Sequence, residues 1–186
     1  TYRISCYEVT NVQYRRFLVA TGRPAPRYWS GLDYPTGQPD VPVVGVSWES
    51  SEAYCRWVGG RLPTEAEWEK ACRGEAGGIY PWGEAWEPSL GNVGLAREAT
   101  WGAYLDATWG LLQRIPGSAL DLGLRPAGTY LGGASDYGVF DLVGNASEWV
   151  ADWYDPLAYS SLPLENPLAV GPQWAHVVRG SAWFNR

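Results

Sequence analysis

The chain has 186 residues, with 14 basic and 20 acidic side chains and a formal net charge of −6. That length suits one domain able to bury a substantial core without metal or disulfide staples. Acids and bases are interspersed, so no basic stripe exists to drive backbone binding of nucleic acid, and no apolar run is long enough to span a membrane.

The first residues, TYRISCYEVT, lack the regions of a signal peptide, and the chain holds no Met. These features predict a single domain over residues 1–186, cut from a longer protein at both ends and located in the cytoplasm. Cys6, Cys55 and Cys72 are odd in number, far apart and without a C-x-x-C spacing. The pattern argues against a disulfide scaffold or thiolate zinc site and for buried, inert thiols. The 12 Trp, 12 Tyr, 23 Gly and 14 Pro describe a loop-rich fold whose core is held by large aromatics.

In chain order, TNVQYRRFLVATG predicts a helix with Thr10 as N-cap, Gly22 as C-cap, and Tyr14, Phe17 and Leu18 on one face. Residues 23–46 are rich in Pro and Gly and predict an extended excursion ending in a short strand, Val43–Val46. SWESSEAYCRWVGG predicts a second helix opening at Ser47 and closing at Gly59-Gly60, with Trp48, Ala53, Tyr54, Trp57 and Val58 on its inner face. RLPTEAEWEKACRG predicts a third, with a Thr64/Glu67 capping box and Trp68, Ala71 and Cys72 inward. From Gly74 to Tyr130 no helical period persists; YPWGEAWEP reads as a tight turn, and a long irregular stretch follows.

The segments YEVTNVQYRRFL, PVVGVSWESSEAYCRWVGGRLPTEAEWEKACRG, YPWGE, YGVFDLVGNASEWVADWY and HVVRGSAW stand in a fixed order. Together they resemble the formylglycine-generating enzyme, or sulfatase-modifying-factor, domain family, from near residue 7 to the last residue. The resemblance implies an α+β chain with a C-type lectin-like fold of the sulfatase-modifying-factor subtype: a short irregular sheet, two or three helices and extensive ordered loops.

The segment DLVGNASEW carries hard carboxylate oxygens at Asp141 and Glu148, and Gly144 permits a turn that aims backbone carbonyls at one point, an arrangement suited to calcium. The resemblance implies a structural calcium ion held by Asp141, Gly144, Ala146 and Glu148; a bland alternative has Glu148 capping a turn or meeting an arginine. A second family site starts at Asn92 and Val93, and its further ligands are either Asp106 with Thr108 or Asp121 with Gly123. His176 is the only histidine, so the several-histidine iron site of related sulfoxide synthases cannot be built, and a structural role is expected for it. The N-x-S match at Asn145–Ser147 is read as chance.

In the family's enzymes the strand equivalent to HVVRG leads to a loop whose thiolate pair binds copper and oxidises a substrate cysteine. The first of those cysteines corresponds to Asn185, which predicts a chain that is not an enzyme and takes no copper. Trp183, Phe184, Asn185 and Arg186 then suit a contact surface. The preferred expectation is thus a non-catalytic ligand-binding domain on a calcium-stabilised scaffold, most like a variable protein of a diversity-generating retroelement. Its partner is expected to be an unidentified macromolecule, a protein, with neither nucleic acid nor membrane insertion. Two alternatives stand: a formylglycine-generating oxidoreductase or iron-dependent sulfoxide synthase, and a scaffold or regulatory domain fused to a kinase, protease or nucleotide-binding module.

Overall fold

A computed structural model describes residues 1–93, 123–171 and 173–182 of the chain. In order, these form α1 (Asn11–Thr21), α2 (Trp48–Trp57), α3 (Glu65–Arg73), 3-10 turns at Pro88–Leu90 and Leu131–Gly133, β1 (Glu148–Trp153), the single-turn α4 (Ala158–Ser161) and β2 (His176–Arg179). The α+β class is as expected: a few helices and a short antiparallel pair of strands, with long ordered loops between.

Local chemistry sets the helix ends. Thr10 N–H donates to Gln13 Oε1 at 3.0 Å as α1 begins, and Gly22 closes it in the left-handed conformation at φ 67°. Ser47 Oγ accepts from Ser50 N–H at 3.3 Å at the start of α2. At α3, Thr64 Oγ1 accepts from Glu67 N–H while Glu67 Oε2 accepts from Thr64 N–H, the reciprocal box expected there.

β1 is the spine of the domain. It pairs antiparallel with β2 through Glu148↔Arg179, Trp149↔Val178 and Trp153↔His176, with a bulge between Trp149 and Trp153. Val150 in its middle has no exposed surface. Trp48 of α2 donates its indole N–H to Val150 O at 2.8 Å, and Ala151 N–H donates to Pro63 O just ahead of α3, also at 2.8 Å. Two cores result. One joins Trp68, Ala71 and Cys72 of α3 to Val139, Leu142, Val150 and Val177. The other is aromatic: Tyr14, Phe17, Tyr28, Trp29 and Tyr54, with Leu18.

Three expectations need correcting. Val43–Val46 is not a strand. Pro42 has no N–H to give a ladder, Gly45 turns the chain at φ 66°, and the Val44 N–H goes to the Tyr28 hydroxyl; only an isolated bridge joins Thr10 to Pro42. Of the expected inner face of α2 only Tyr54 is buried, and Trp57 and Val58 are exposed, because the aromatic core is filled from α1 and the 28–34 loop. Finally, Cys6 is exposed and Cys55 half-buried, so only Cys72 fits the buried thiol expected of all three. The tight turn at YPWG is present, closed by reciprocal Tyr80–Gly83 backbone bonds. No helix among the described residues is long and apolar enough to cross a membrane.

Candidate metal centre in the 141–148 loop

The loop from Asp141 to Glu148 coils on itself before becoming β1. Asp141, Gly144 and Asn145 are all left-handed, at φ 59°, 86° and 57°. A left-handed residue with a side chain costs about 1 kcal/mol or more, least for Asp and Asn, so the surroundings must impose this path. They do so from four directions. Asn92 O accepts from Asn145 N–H at 2.9 Å, and Asn92 Nδ2 donates to Asn145 Oδ1 at 2.9 Å and Gly123 O at 2.8 Å. Glu8 accepts from Asn145 Nδ2 at 2.6 Å and from Ala146 N–H at 3.0 Å. Gly180, just past β2, accepts from Gly144 N–H at 2.8 Å. From α3, Trp68 Nε1 donates to Glu148 Oε2 at 3.0 Å. Gly144 has no room for a side chain: a Cβ there would collide with Asn92 O.

Electrostatically the loop is an acidic pit. Asp141 is buried, and burial pushes its carboxyl above the usual range although Gly128 N–H donates to it at 2.6 Å. Burial, and then the neighbouring Asp141, push Glu148 up to about 7. Burial, followed by Glu148 and Asp141, pushes Glu8 up to about 9. No salt bridge among the described residues reaches any of the three. Arg179 stands opposite Glu148 across the sheet, yet its guanidinium pairs with Glu65 at 3.6 Å and Glu69 at 3.3 Å instead. Asp141 is buried and Glu8 and Glu148 are half-buried, so keeping all three ionised is costly, and a bound cation would relieve that cost.

The donor set fits a hard cation. Among the described residues no three His, Cys, Asp or Glu side chains are arranged around one metal position. An ion here would therefore draw on two carboxylates, Asp141 and Glu148, completed by main-chain carbonyls such as those of Gly144 and Ala146. Mixed carboxylate and carbonyl oxygen is what calcium accepts. Glu8, which the sequence reading passed over, is the third wall of the pit; its only signal was an acid inside the YEVTN segment. A cavity of about 170 Å³, lined in part by Glu8, Ala146 and Glu148, adjoins it.

The other expected site residues are distributed as follows. Asn92 and Val93 lie beside this loop, where Asn92 acts as a brace between Gly123 and Asn145. Asp106, Thr108 and Asp121 lie outside the described residues, as do Trp183, Phe184, Asn185 and Arg186 of the expected contact surface. His176 is sandwiched between indoles, 3.9 Å from the Trp48 ring centre and 3.7 Å from that of Trp153, with Nδ1 3.3 Å from Asp152 O. It serves as a packing element. The cysteines occupy three separate surroundings and make no thiolate pair, so those in the described residues do not fit a copper site.

A profile of the sulfatase-modifying factor enzyme 1-like domain matches residues 1–186. The formylglycine-generating enzyme of Streptomyces coelicolor is 38% identical over 161 residues, covering 80% of this chain and 44% of that protein. An inactive C-alpha-formylglycine-generating enzyme 2 from Mus musculus is 35% identical over 144 residues, covering 77% of this chain and 41% of its own. Hercynine oxygenase of Mycolicibacterium smegmatis is 30% identical over 219 residues, covering 98% of this chain and 46% of that protein. The chain thus spans less than half the length of these relatives.

These relatives overturn the expectation that the chain is not an enzyme, since two of the three are named as enzymes and the formylglycine-generating enzyme is more similar than the inactive paralogue. Asn185 was too narrow a basis: it bears on one copper–thiolate chemistry, whereas the relatives include an oxygenase as well. The retroelement variable-protein expectation gains no support from them. By sequence over its whole length, the chain belongs to the sulfatase-modifying factor enzyme 1-like domain family.

Proposed function

We propose that the protein is an oxidoreductase of the formylglycine-generating class, which oxidises a thiol-bearing substrate to an aldehyde with release of sulfide, dioxygen being reduced to water by the two electrons from that thiol and two from a thiol reductant, on a calcium-stabilised scaffold. The observation that carries the activity is the 38% identity, over 161 residues, to a formylglycine-generating enzyme. In support of the scaffold, Asp141 and Glu148 with the carbonyls of Gly144 and Ala146 would hold the calcium ion. That ion supplies fixed charge and no redox chemistry. Glu8, Asn92 and Gly180 shape the loop around it through their hydrogen bonds to Asn145, Ala146 and Gly144.

The ion's place in the fold connects it to function. Gly144 is bonded to Gly180 at the exit of β2, so ordering the 141–148 loop also fixes where the chain leaves the sheet. No redox step is assigned to the described residues, whose cysteines and single histidine are spent on surface and packing positions.

The test is formation of an aldehyde in a cysteine-containing sulfatase peptide, in air with a thiol reductant, with and without added copper(I), by the full-length protein and in the same mixtures without it. Aldehyde formed only when the protein is present supports the proposal. Its absence with the peptide and with small thiol substrates alike contradicts it.

A further inference from the structure

Trp68 lies on α3, is 4% exposed, and touches the candidate ligand loop at Glu148. Its Nε1–H donates to Glu148 Oε2 at 3.0 Å. Cζ2 of the same indole, on the N–H edge of the ring, stands 3.4 Å from where a Cβ on Gly180 would be. Gly180 is left-handed at φ 86°, and its carbonyl accepts the Gly144 N–H at 2.8 Å. The Arg179 guanidinium covers the ring at 5.4 Å from its centre, while its own charge pairs go to Glu65 and Glu69. Trp68 therefore touches Glu148 directly, and its indole lies beside Gly180, whose carbonyl holds Gly144.

A carboxylate with two free oxygens can rotate about its last bond and present either edge. A donor on Oε2 removes that freedom and leaves Oε1, which carries none of the described hydrogen bonds, facing a fixed direction. We propose that Trp68 is a positioning residue for the cation of the 141–148 loop: its indole N–H orients Glu148 and sets the affinity for calcium. The inference rests on the calcium reading given above. It differs from a packing role, because packing stabilises the ion-free and loaded proteins alike and leaves the affinity unchanged. Partners that orient metal ligands are typically worth roughly 10- to 100-fold in affinity.

The experiment is a calorimetric titration of chelator-treated, full-length protein with calcium chloride. Trp68→Phe keeps an aromatic ring and removes the N–H. Incorporation of 3-benzothienylalanine at position 68 removes the N–H with almost no change of shape, and so covers the case in which the phenylalanine variant does not fold. Calcium binding weakened at least 10-fold in either folded variant bears the proposal out. Equal affinity in the unsubstituted protein and the benzothienyl variant overturns it and leaves Trp68 a core residue, with the calcium site intact. No calcium binding by the unsubstituted protein overturns the calcium reading itself, and the role of Trp68 with it.

Discussion

The carboxylate of Asp152, in β1, accepts the backbone N–H of Glu65 at the first turn of α3 at 2.7 Å, across 87 residues of sequence. Its other oxygen accepts Ala169 N–H at 2.9 Å, and the residue is only 2% exposed. One buried acid thus satisfies an otherwise orphaned helix N–H and pins the segment that leads into β2.

Replacing Asp152 by Ala should leave two buried N–H groups without acceptors and cost about 2–4 kcal/mol. Asp152→Asn, which keeps one acceptor oxygen, should cost roughly half as much. Urea denaturation of the three proteins measures this; equal stability would show that water replaces the carboxylate at no cost.

Glu67 contributes to the acid limb of stability. Its two oxygens fork onto Arg61 at 2.7 Å each, and one also accepts Thr64 N–H. The Arg61 hydrogen bonds, first, hold its carboxyl below the ordinary value of 4.5. A carboxyl lowered on folding contributes stability that is fully present above 4.5 and is lost as pH falls through its folded value. Because the pair is partly exposed, the contribution is about 1 kcal/mol or less. Glu67→Gln should therefore be less stable than the parent at neutral pH, with the gap closing toward pH 3. A gap that stays constant with pH would place the effect in packing instead.

The indole–imidazole stack predicts tolerance at position 176. Loss of both ring contacts in His176→Ala should cost about 1–3 kcal/mol, whereas His176→Phe, still able to lie between Trp48 and Trp153, should retain most of the stability. Thermal melts distinguish these. A phenylalanine variant as unstable as the alanine one would mean that the Nδ1 contact to Asp152 O dominates.

Calcium removal should lower the melting temperature. A ligand held only by the folded state, at a free concentration a hundred times its Kd, stabilises by about 2.7 kcal/mol. For a domain of this size that is roughly 5–10 °C. Glu148→Gln should abolish sensitivity to chelator. A parent protein whose melting temperature ignores prolonged chelation would count against the ion.

Much of this was legible in the sequence, because it is local. Ser47 and Thr64 cap their helices with side-chain oxygens, Thr10 precedes α1 with its N–H held by Gln13, and Gly22 ends that helix. Asp141 and Glu148 were visible because the turn that joins them lies within one short segment. The walls of the pit were not. Glu8 reaches Asn145 across 137 residues and Trp68 reaches Glu148 across 80, and no period or cap signals such a pairing. The supposed strand at Val43–Val46 failed for a related reason: its β-branched residues pack on the aromatic core as loop, with the Val44 N–H taken by a distant hydroxyl. Reading Asn185 as the loss of activity gave one side chain more weight than the similarity of the whole domain to named enzymes could bear.

The most direct test of the central claim is mass spectrometry of a cysteine-containing sulfatase peptide after aerobic incubation with the full-length protein and copper(I). With a thiol reductant supplying the two further electrons that dioxygen needs, the account predicts loss of the cysteine sulfur and an aldehyde that reacts with a hydrazide, absent when oxygen is excluded. A peptide recovered unchanged, alongside a positive control with an active formylglycine-generating enzyme, would contradict it.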